Sequence, residues 1–307
     1  MTGARSACRT LPEEPGVYRF RDDRGRVAYL GRATNLRARV RSYWGDLTDR
    51  LHLRRMITQV ASVEAIVCAS PHEAAWLERN LLERSLPRWN RIRGGTETPA
   101  WLVLDDGPRR PGLHLVFDAS TSAGSVFGPY LGFEKATLAR DGLLRLYPLH
   151  LTGSLLSRSD RSLADARGLS LEDRQEFSAR IRAVLTRDQD ALARARSALI
   201  ALRDQASARL AFETAQQVQF ESAALDWLVA EQRVTGCSPP DLKVVGWAEG
   251  TLFSLVATQG RLDRWTTRVA DDTTGRRASA RTPDSWREFA VRNAELAATL
   301  AAAHRVE

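Results

Sequence analysis

Residues 27–44, VAYLGRATNLRARVRSYW, decide how the N-terminal third of this 307-residue chain folds. The stretch begins with a short apolar run of the kind found in strands and then changes period. Leu36, Val40 and Tyr43 recur at every third or fourth position, which is the spacing of one helix face. The sequence therefore predicts a strand followed by a basic helix. That helix is either a surface that binds polyanions or half of an active site.

A second strand precedes this stretch and pairs with it. Residues 16–20 are a β-type run, and the polar turn at 21–26 joins them to residues 27–30 as a hairpin. Thr34 or Asn35 can cap the helix that follows, because either side chain can accept a hydrogen bond from a first-turn N–H group. The sequence thus predicts a β-hairpin that leads directly into a capped helix.

Three more elements complete the first 95 residues. Helical spacing predicts a helix at about 49–61, and residues 63–68 read as a third strand. Ser70 then begins a capping box with proline at the first helical position, which predicts a helix to about Arg84. We expect an α+β fold that begins with a small three-stranded antiparallel sheet flanked by helices.

The rest of the chain is predicted to be helical in the middle and to end in a small β segment with a terminal helix. The predicted elements are a linker with short strands at 94–125, a turn at 126–132, a helix at about 134–147, a loose polar stretch at 151–170, two or three helices at 171–234 with the last two paired as a hairpin, three strands at 242–270, and a helix from Thr282. We divide the chain into a first domain at 1–95, a middle region at 96–170, a helical region at 171–236 and a β segment with its helix at 237–307.

The positive charge is confined to the first domain. The chain has a net charge of +8 and an isoelectric point of about 10.1. Residues 1–95 hold 18 arginines and 10 acidic residues, whereas the remainder holds 27 basic and 27 acidic residues. A polyanionic partner such as nucleic acid would therefore meet the protein at its N-terminal third. Because only Lys135 and Lys243 are lysines, a single arginine is weak evidence of function.

Composition places the protein in a reducing compartment and away from membranes. No apolar stretch approaches the roughly 18 residues of a membrane span, and the N-terminus lacks the apolar core of a signal peptide. The three cysteines are scattered and odd in number, which argues against a disulfide framework, a zinc ribbon or an iron–sulfur cluster. We expect a cytoplasmic protein.

The first domain can supply the groups that phosphodiester hydrolysis needs. That reaction requires a positioned water, a group that takes its proton, cations near the developing charge and usually a metal. Tyr18 on the first strand and Tyr29 on the second can meet, because antiparallel neighbours share a face. Arg32 follows the second strand, and Arg39 and Tyr43 are four residues apart on the helix, hence on one side.

Glu78 is the most informative acidic residue. Its helical neighbours at three and four positions are Ala74, Ala75, Leu81 and Leu82, so the carboxylate rises from an apolar face. A carboxylate in such surroundings needs a partner. The partner is either a divalent cation or one of the arginines in an internal salt bridge, and spacing alone favours neither.

Five motifs now point to a known family. PGVY at 15–18, YLGRA at 29–33, NLRARVRSY at 35–43, EAAWLERNLL at 73–82 and PRWN at 87–90 resemble, in order and spacing, the GIY-YIG endonuclease domain of UvrC, the bacterial excinuclease subunit. The stand-alone UvrC homologue Cho is similar too. Five separated blocks agree, which makes the resemblance specific.

Weaker similarities extend the resemblance along the chain. FGPY at 127–130 resembles the block that follows the nuclease domain in UvrC, and RLAFETA at 209–215 resembles the UVR motif through which UvrC binds UvrB. The strands at 242–270 resemble the segment after that motif. UvrC's second nuclease domain and its helix-hairpin-helix region have no counterpart in the 307 residues.

The resemblance implies roles for individual residues. Glu78 would hold a single Mg²⁺ or Mn²⁺ ion, Tyr29 or Tyr18 would activate the water, and Arg39 would stabilise charge on the scissile phosphate. The full implied catalytic set is Tyr18, Tyr29, Arg32, Arg39, Tyr43, Glu78 and Asn90, where Tyr43 and Asn90 complete the site by hydrogen bonding. The basic residues expected to contact DNA are Arg37, Arg41, Arg88 and Arg91.

Two departures from the family pattern affect these expectations. The family usually has lysine where this chain has Arg32, and an arginine is less able to relay a proton, although it can still stabilise a phenolate. The cysteine cluster that many UvrC proteins carry is absent from the sequence, so no iron–sulfur cluster is expected.

The leading hypothesis is a metal-dependent DNA endonuclease of nucleotide excision repair. It would cut damaged double-stranded DNA 3′ of a lesion marked by UvrB, and another enzyme would make the opposite incision. One alternative is a nuclease that acts on branched or cross-linked DNA without UvrB. A second alternative is a non-catalytic DNA-binding adaptor that kept the fold.

Overall fold

The computed structural model describes residues 2–45, 51–233 and 241–305. The chain forms two compact units, one made of Met1–Thr96 with Glu231–Glu307 and the other of Glu97–Ala230. The strands are β1 (Gly16–Arg21), β2 (Val27–Ala33), β3 (Ser62–Val67), β4 (Pro99–Asp105), β5 (Gly112–Val116), β6 (Ser125–Leu131), β7 (Leu242–Ala248), β8 (Thr251–Thr258) and β9 (Arg261–Val269). The helices are α1 (Thr2–Ala7), α2 (Leu36–Ser42), α3 (Leu51–Ile57), α4 (Pro71–Arg84), α5 (Phe133–Leu146), α6 (Arg158–Ala166), α7 (Asp173–Leu185), α8 (Gln189–Ala208), α9 (Phe212–Val229), α10 (Asp272–Ser279) and α11 (Asp284–Arg305).

The first unit contains a three-stranded antiparallel sheet with strand order β2-β1-β3. The central strand β1 is almost wholly buried because both of its edges are paired and both of its faces are covered. One face carries Tyr18 and Phe20, which belong to a core shared with α1, α2, α3 and α11. Helix α4 packs against β1 and β2 and also against β9 of the second sheet.

Helix α11 covers the outer edge of β3. The Asn293 side chain accepts a hydrogen bond from Val67 N at 2.8 Å and donates one to Val67 O at 3.3 Å. His304 Nε2 accepts a hydrogen bond from Val63 N at 3.2 Å. Because an open strand edge exposes unpaired N–H and C=O groups, these contacts protect the sheet from pairing with another chain.

A second antiparallel sheet, β7-β8-β9, belongs to the same unit. Its strand β9 is tied to α4, where Trp76 Nε1 donates to Gly260 O at 2.8 Å and Asn80 Oδ1 accepts from Leu262 N at 3.0 Å. The guanidinium of Arg19 stacks 3.9 Å above the Trp265 ring. The residues after 241 therefore pack onto the helix and sheet of the first 95 residues.

The second unit combines the sheet β5-β4-β6 with helices α5 to α9. Helices α8 and α9 form a hairpin, and α9 also packs along α5. Glu221 is 1% exposed on α9 and forms a bidentate salt bridge with Arg145 of α5, with N–O distances of 2.6 and 2.7 Å. That pairing satisfies a buried carboxylate that would otherwise be costly.

Most predicted elements are confirmed. The β1–β2 hairpin, the helix from Pro71 to Arg84, the α8–α9 hairpin, the three C-terminal strands and the α+β fold all match the structure. Two predictions were wrong: residues 126–132 lie almost entirely in strand β6 rather than in a turn, and the polar stretch at 151–170 contains helix α6. Helix α6 was not predicted because Ala164 is its single buried residue, so its sequence shows no apolar face with helical spacing.

The domain division into four parts stays a prediction, because the two units are defined by packing and not by independent folding. The part of the predicted helix at 49–61 that precedes residue 51 lies outside the described residues, and α3 occupies Leu51–Ile57. Within the described ranges, no helix is both long enough and apolar enough to cross a bilayer.

Candidate active site

Strand pairing brings the two tyrosines onto one face. In the β1–β2 register Tyr18 lies opposite Gly31, and Phe20 lies opposite Tyr29. Cross-strand partners share a face of the sheet, so all four positions point to the same side. The ring centroids of Tyr18 and Tyr29 are 6.3 Å apart, which confirms the expectation that the two phenols meet.

Gly31 makes room for the Tyr18 ring. A Cβ atom at residue 31 would lie 2.5 Å from Tyr18 Oη, 2.7 Å from its Cζ and 3.0 Å from Tyr29 Cε1. Non-bonded carbon atoms prefer separations near 3.5–4.0 Å, so any side chain here would displace a phenol. Glycine at this position is therefore a packing requirement of the tyrosine cluster.

Helix α2 adds a third phenol and a cation. Asn35 caps the helix by accepting a hydrogen bond from Ala38 N at 2.8 Å. The Tyr43 hydroxyl at its C-terminus lies 2.7 Å from the Tyr18 hydroxyl and 3.3 Å from the Tyr29 hydroxyl. Arg39, one helical turn earlier, has its guanidinium carbon 5.1 Å from the centre of the Tyr43 ring. The three hydroxyls form one hydrogen-bonded chain beside a positive charge.

The environment keeps the two strand phenols neutral in the protein alone. Burial, followed by repulsion from Tyr43, raises the pKa of Tyr18 and of Tyr29 well above the ordinary value. Arg39 acts in the opposite direction and lowers both pKa values. Burial lowers the pKa of the Arg39 guanidinium, but attraction to Tyr18 and Tyr43 outweighs burial and raises that pKa overall. Arg39 is thus placed to stabilise a phenolate if one forms.

The three phenols differ in their access to solvent. Tyr18 and Tyr43 are 0% and 2% exposed, whereas Tyr29 is only half-buried at the outer strand β2. A water molecule that enters from the surface would reach Tyr29 first. Tyr18 and Tyr43 lie behind it and connect to it only through the hydroxyl chain.

Glu78 and Arg32 meet on the other side of β2. Arg32 lies opposite Val17 in the register, so strand alternation directs it to the face on which α4 packs. Its Nε is 3.2 Å from Glu78 Oε2, with the two side chains 34% and 20% exposed. Arg32 is thus in contact with Glu78, as the salt-bridge alternative expects, and the cation alternative stays a prediction. Glu78 also raises the Tyr29 pKa, which links the pair to the phenols.

The donor chemistry around Glu78 is suitable for a single hard cation. A magnesium ion in proteins commonly uses one or two carboxylates and keeps several water molecules, to which substrate phosphate oxygens can be added. Among the described residues, no three His, Cys, Asp or Glu side chains form a complete cage for a metal. A partly exposed carboxylate with room for water therefore fits such an ion, with Arg32 competing for the same oxygen.

Asn90 contacts the backbone of β2 and none of the phenols. Its Oδ1 accepts a hydrogen bond from Leu30 N at 2.9 Å, and its Nδ2 donates to Leu30 O at 2.8 Å. The next hydrogen bond along the edge runs from Trp89 N to Ala28 O at 3.1 Å. Asn90 thus fixes the backbone of Leu30, next to Tyr29, while Trp89 fixes Ala28 on the other side. This makes Asn90 a positioning residue.

The four arginines predicted to contact DNA differ in their surroundings. Arg37 donates to Leu11 O at 2.6 Å and pairs with Glu13 at 2.8 Å, so it holds the N-terminal loop. Arg41, Arg88 and Arg91 are exposed. Contact of any of the four with DNA stays a prediction.

Sequence reasoning missed Phe20 as part of the cluster. Its ring centroid lies 5.2 Å from that of Tyr43 and 6.0 Å from that of Tyr29, and the side chain is fully buried. Phe20 therefore packs against the rings of Tyr43 and Tyr29 and supports their positions. The signal was available, because Phe20 follows Tyr18 by two residues on a strand and so faces the same side.

Comparisons with known proteins identify what this region is similar to. Residues 14–91 match the family model described as the UvrC-like GIY-YIG domain. UvrABC system protein C of Geobacter metallireducens is 37% identical over 146 residues, which is 47% of this chain and 24% of that protein. The protein of the same name from Symbiobacterium thermophilum is 30% identical over 300 residues, which is 89% of this chain and 46% of that protein. The chain spans less than half the length of either relative.

A solved structure adds a further similarity. It is the GIY-YIG N-terminal endonuclease domain of UvrC from Thermotoga maritima, bound to its catalytic divalent cation, magnesium. The sequences are 34% identical, and the match covers 30% of this chain and 99% of that chain with a TM-score of 0.28.

Proposed function

We propose, from the match of residues 14–91 to the UvrC-like GIY-YIG domain model, that the protein is a metal-dependent DNA endonuclease of nucleotide excision repair. It hydrolyses one phosphodiester 3′ of a lesion in damaged double-stranded DNA. The observation that carries this proposal is the hydrogen-bonded chain of Tyr18, Tyr43 and Tyr29 beside Arg39.

We assign the proton-accepting role to Tyr29 in preference to Tyr18. Tyr29 is the half-buried member of the chain, and a base must come within hydrogen-bond reach of the water that it deprotonates. Its raised pKa means that it needs nearby positive charge before it can act as a phenolate. Arg39 supplies part of that charge, because it lowers the pKa of Tyr29.

Glu78 is the proposed ligand of a single Mg²⁺ or Mn²⁺ ion. When bound there, the cation would supply positive charge near the scissile phosphate and lower the pKa of a bound water. Glu78 raises the Tyr29 pKa, and neutralising its charge would relieve that effect. Arg32 pairs with the carboxylate through Oε2 and competes with the cation for that oxygen. No iron–sulfur cluster is part of the proposal.

Arg39 and the exposed arginines have separate roles in this scheme. Arg39 lies one turn from the phenols, where its fixed charge can stabilise the scissile phosphate. Arg41, Arg88 and Arg91 are exposed on the positively charged first domain and would contact neighbouring backbone phosphates. Such contacts position DNA without reading its sequence.

The α8–α9 hairpin is the proposed contact with UvrB. Leu210 at its tip is 74% exposed and has a backbone φ of 58°, and Phe212 is 64% exposed. Phe220, eight residues further on the same helix face, is 51% exposed. Exposed large apolar side chains support this assignment, because exposed apolar surface is typical of protein-binding sites. With UvrB as partner, we place the protein in the cytoplasm.

One incision assay separates this function from its alternatives. The full chain is mixed with a defined lesion-bearing duplex in Mg²⁺ or EDTA, with and without UvrA and UvrB. The proposal predicts a single cut 3′ of the lesion that requires both Mg²⁺ and UvrB. Cutting without UvrB would instead support an independent nuclease, which the exposed hairpin argues against. Tight DNA binding with no cutting under any condition would support an adaptor.

The hairpin has its own test. We expect Phe212→Ser to weaken UvrB binding at least tenfold, because truncating a hot-spot side chain at an interface costs about 2 kcal/mol or more. Arg194→Ala, which removes an exposed arginine of α8, is the matched control and should leave binding unchanged. Equal binding by the Phe212 variant and the wild type would exclude the hairpin as the contact.

A further inference from the structure

A cavity beside strand β7 collects positive charge far along the chain from the nuclease motifs. It has a volume of about 650 Å³ and lies under helix α10. The lining residues are Lys243, Val245, Thr273, Thr274, Arg277, Ala278, Arg281 and Thr282. The set contains three cationic side chains and three threonines. No acidic residue belongs to the lining formed by the described part of the chain.

The three cations have not been neutralised by the protein. Lys243, Arg277 and Arg281 make no ion pair and no side-chain hydrogen bond with any residue in 2–45, 51–233 or 241–305. By contrast, Arg276 on the same helix pairs with Asp272 at 2.7 Å. The three positive charges repel each other, and a concave surface lined only by positive charge produces a strong local potential that attracts anions.

The walls of the cavity are held in place by buried contacts. The Thr282 hydroxyl accepts a hydrogen bond from Val245 N at 2.8 Å and donates one to Val245 O at 2.7 Å, so it joins the start of α11 to β7. Gly275 of α10 packs against Trp247, where a Cβ atom would lie 2.1 Å from the indole ring. The helix that carries Arg277 is therefore fixed against the strand that carries Lys243.

We propose that this cavity binds backbone phosphates of DNA, as a second DNA contact outside the nuclease site. Arginine, lysine and threonine side chains are the groups that commonly contact phosphate oxygens. The lining contains no aromatic ring on which a base could stack, which favours the backbone over a free nucleotide. The inference rests on the proposed function only in naming DNA as the polyanion.

The test measures how DNA binding depends on salt. A fluorescent duplex is titrated with the full chain in EDTA, which prevents cutting, at several chloride concentrations. Each phosphate contact contributes about 0.9 to the slope of log K against log salt. Arg277→Ala/Arg281→Ala should therefore reduce the slope by about 1.8. The matched control is Arg264→Ala/Arg268→Ala, which removes two exposed arginines of the same unit that lie outside the cavity.

The outcomes separate this proposal from its competitors. A slope that falls equally in both double variants would show a general charge effect and overturn the proposal. Competition by inorganic phosphate, stronger than by chloride at equal ionic strength and lost in the cavity variant, would identify a free-phosphate site and also overturn it. If the cavity variant alone loses slope while the wild type never cuts DNA, the cavity proposal stands and the nuclease function falls.

Discussion

Replacing Gly31 by alanine tests the packing that holds the catalytic phenols. The new Cβ atom would lie 2.5 Å from Tyr18 Oη and 2.7 Å from its Cζ, on a side chain that is 0% exposed. Tyr18 cannot move away freely, because its ring packs against Phe20 and Tyr43 at centroid distances of 5.4 and 6.0 Å. The substitution therefore has to displace the ring or the strand.

The expected cost has two parts. Overpacking a full core costs about 1–3 kcal/mol. A displaced Tyr18 also loses its 2.7 Å hydrogen bond to Tyr43, and a buried hydroxyl without a partner costs about 1–3 kcal/mol. Because the two effects share one displacement and do not add fully, we expect Gly31→Ala to lower the free energy of unfolding by about 2–4 kcal/mol.

Chemical denaturation measures this loss against a matched control. Gly45→Ala places its Cβ 3.5 Å from the nearest neighbour, Ser42 O, which is an ordinary contact, so it should change stability by less than about 0.5 kcal/mol. Tyr18→Phe in the Gly31→Ala background removes the closest clashing atom and should restore part of the loss. A cost at Gly31 no larger than at Gly45 would refute the packing argument.

Three more predictions concern the site and its support. Arg32→Lys should lower the Mg²⁺ concentration for half-maximal incision by about two- to fivefold. The substitution weakens the ion pair with Glu78 by up to about 1 kcal/mol, which frees the carboxylate for the cation. A higher Mg²⁺ requirement in the variant would contradict this. Asn90→Asp should destabilise the fold by about 1–3 kcal/mol and slow incision, because a carboxylate oxygen would replace the amide donor and repel the Leu30 carbonyl oxygen. Unchanged stability would show that Asn90 is not a positioning residue. His304 accepts a hydrogen bond from the β3 edge in its neutral form. Burial lowers the pKa of His304, and Glu64 acts in the opposite direction. The contribution of His304 to stability is therefore present above about pH 6.5 and is lost as the pH falls through the lowered pKa. Wild type should therefore lose more stability than His304→Gln between neutral pH and pH 5, and parallel losses in denaturation would disprove the assignment.

Local patterns made the phenol cluster predictable from sequence. Tyr18 and Tyr29 lie on two strands joined by a short turn, so alternation alone places them on one face. Arg39 and Tyr43 follow on a helix whose cap, Asn35, was among the two candidates. Each of these relations spans fewer than 30 residues, within which strand and helix periods determine direction.

Long-range contacts were not predictable in the same way. The Glu78–Arg32 pair was one of two open alternatives, because spacing shows that a carboxylate needs a partner but does not show which one. The hydrogen bonds of Asn90 to Leu30 and of Asn293 to Val67 join residues 60 and 226 positions apart. No periodicity connects such positions, and only the tertiary packing of their elements determines which residues meet.

Single-turnover incision by a Glu78→Gln variant tests the central claim most directly. Glutamine keeps the size of the side chain and removes the charge that is proposed to hold the cation. The matched control is Glu83→Gln on the same helix, whose carboxylate is already bound by Arg79 and Arg261. We predict that Glu78→Gln lowers the incision rate by at least a hundredfold, about 2.7 kcal/mol in activation free energy, while Glu83→Gln cuts at close to the wild-type rate. Incision by Glu78→Gln at the rate of the control, at the same Mg²⁺ concentration, would contradict the proposed active site.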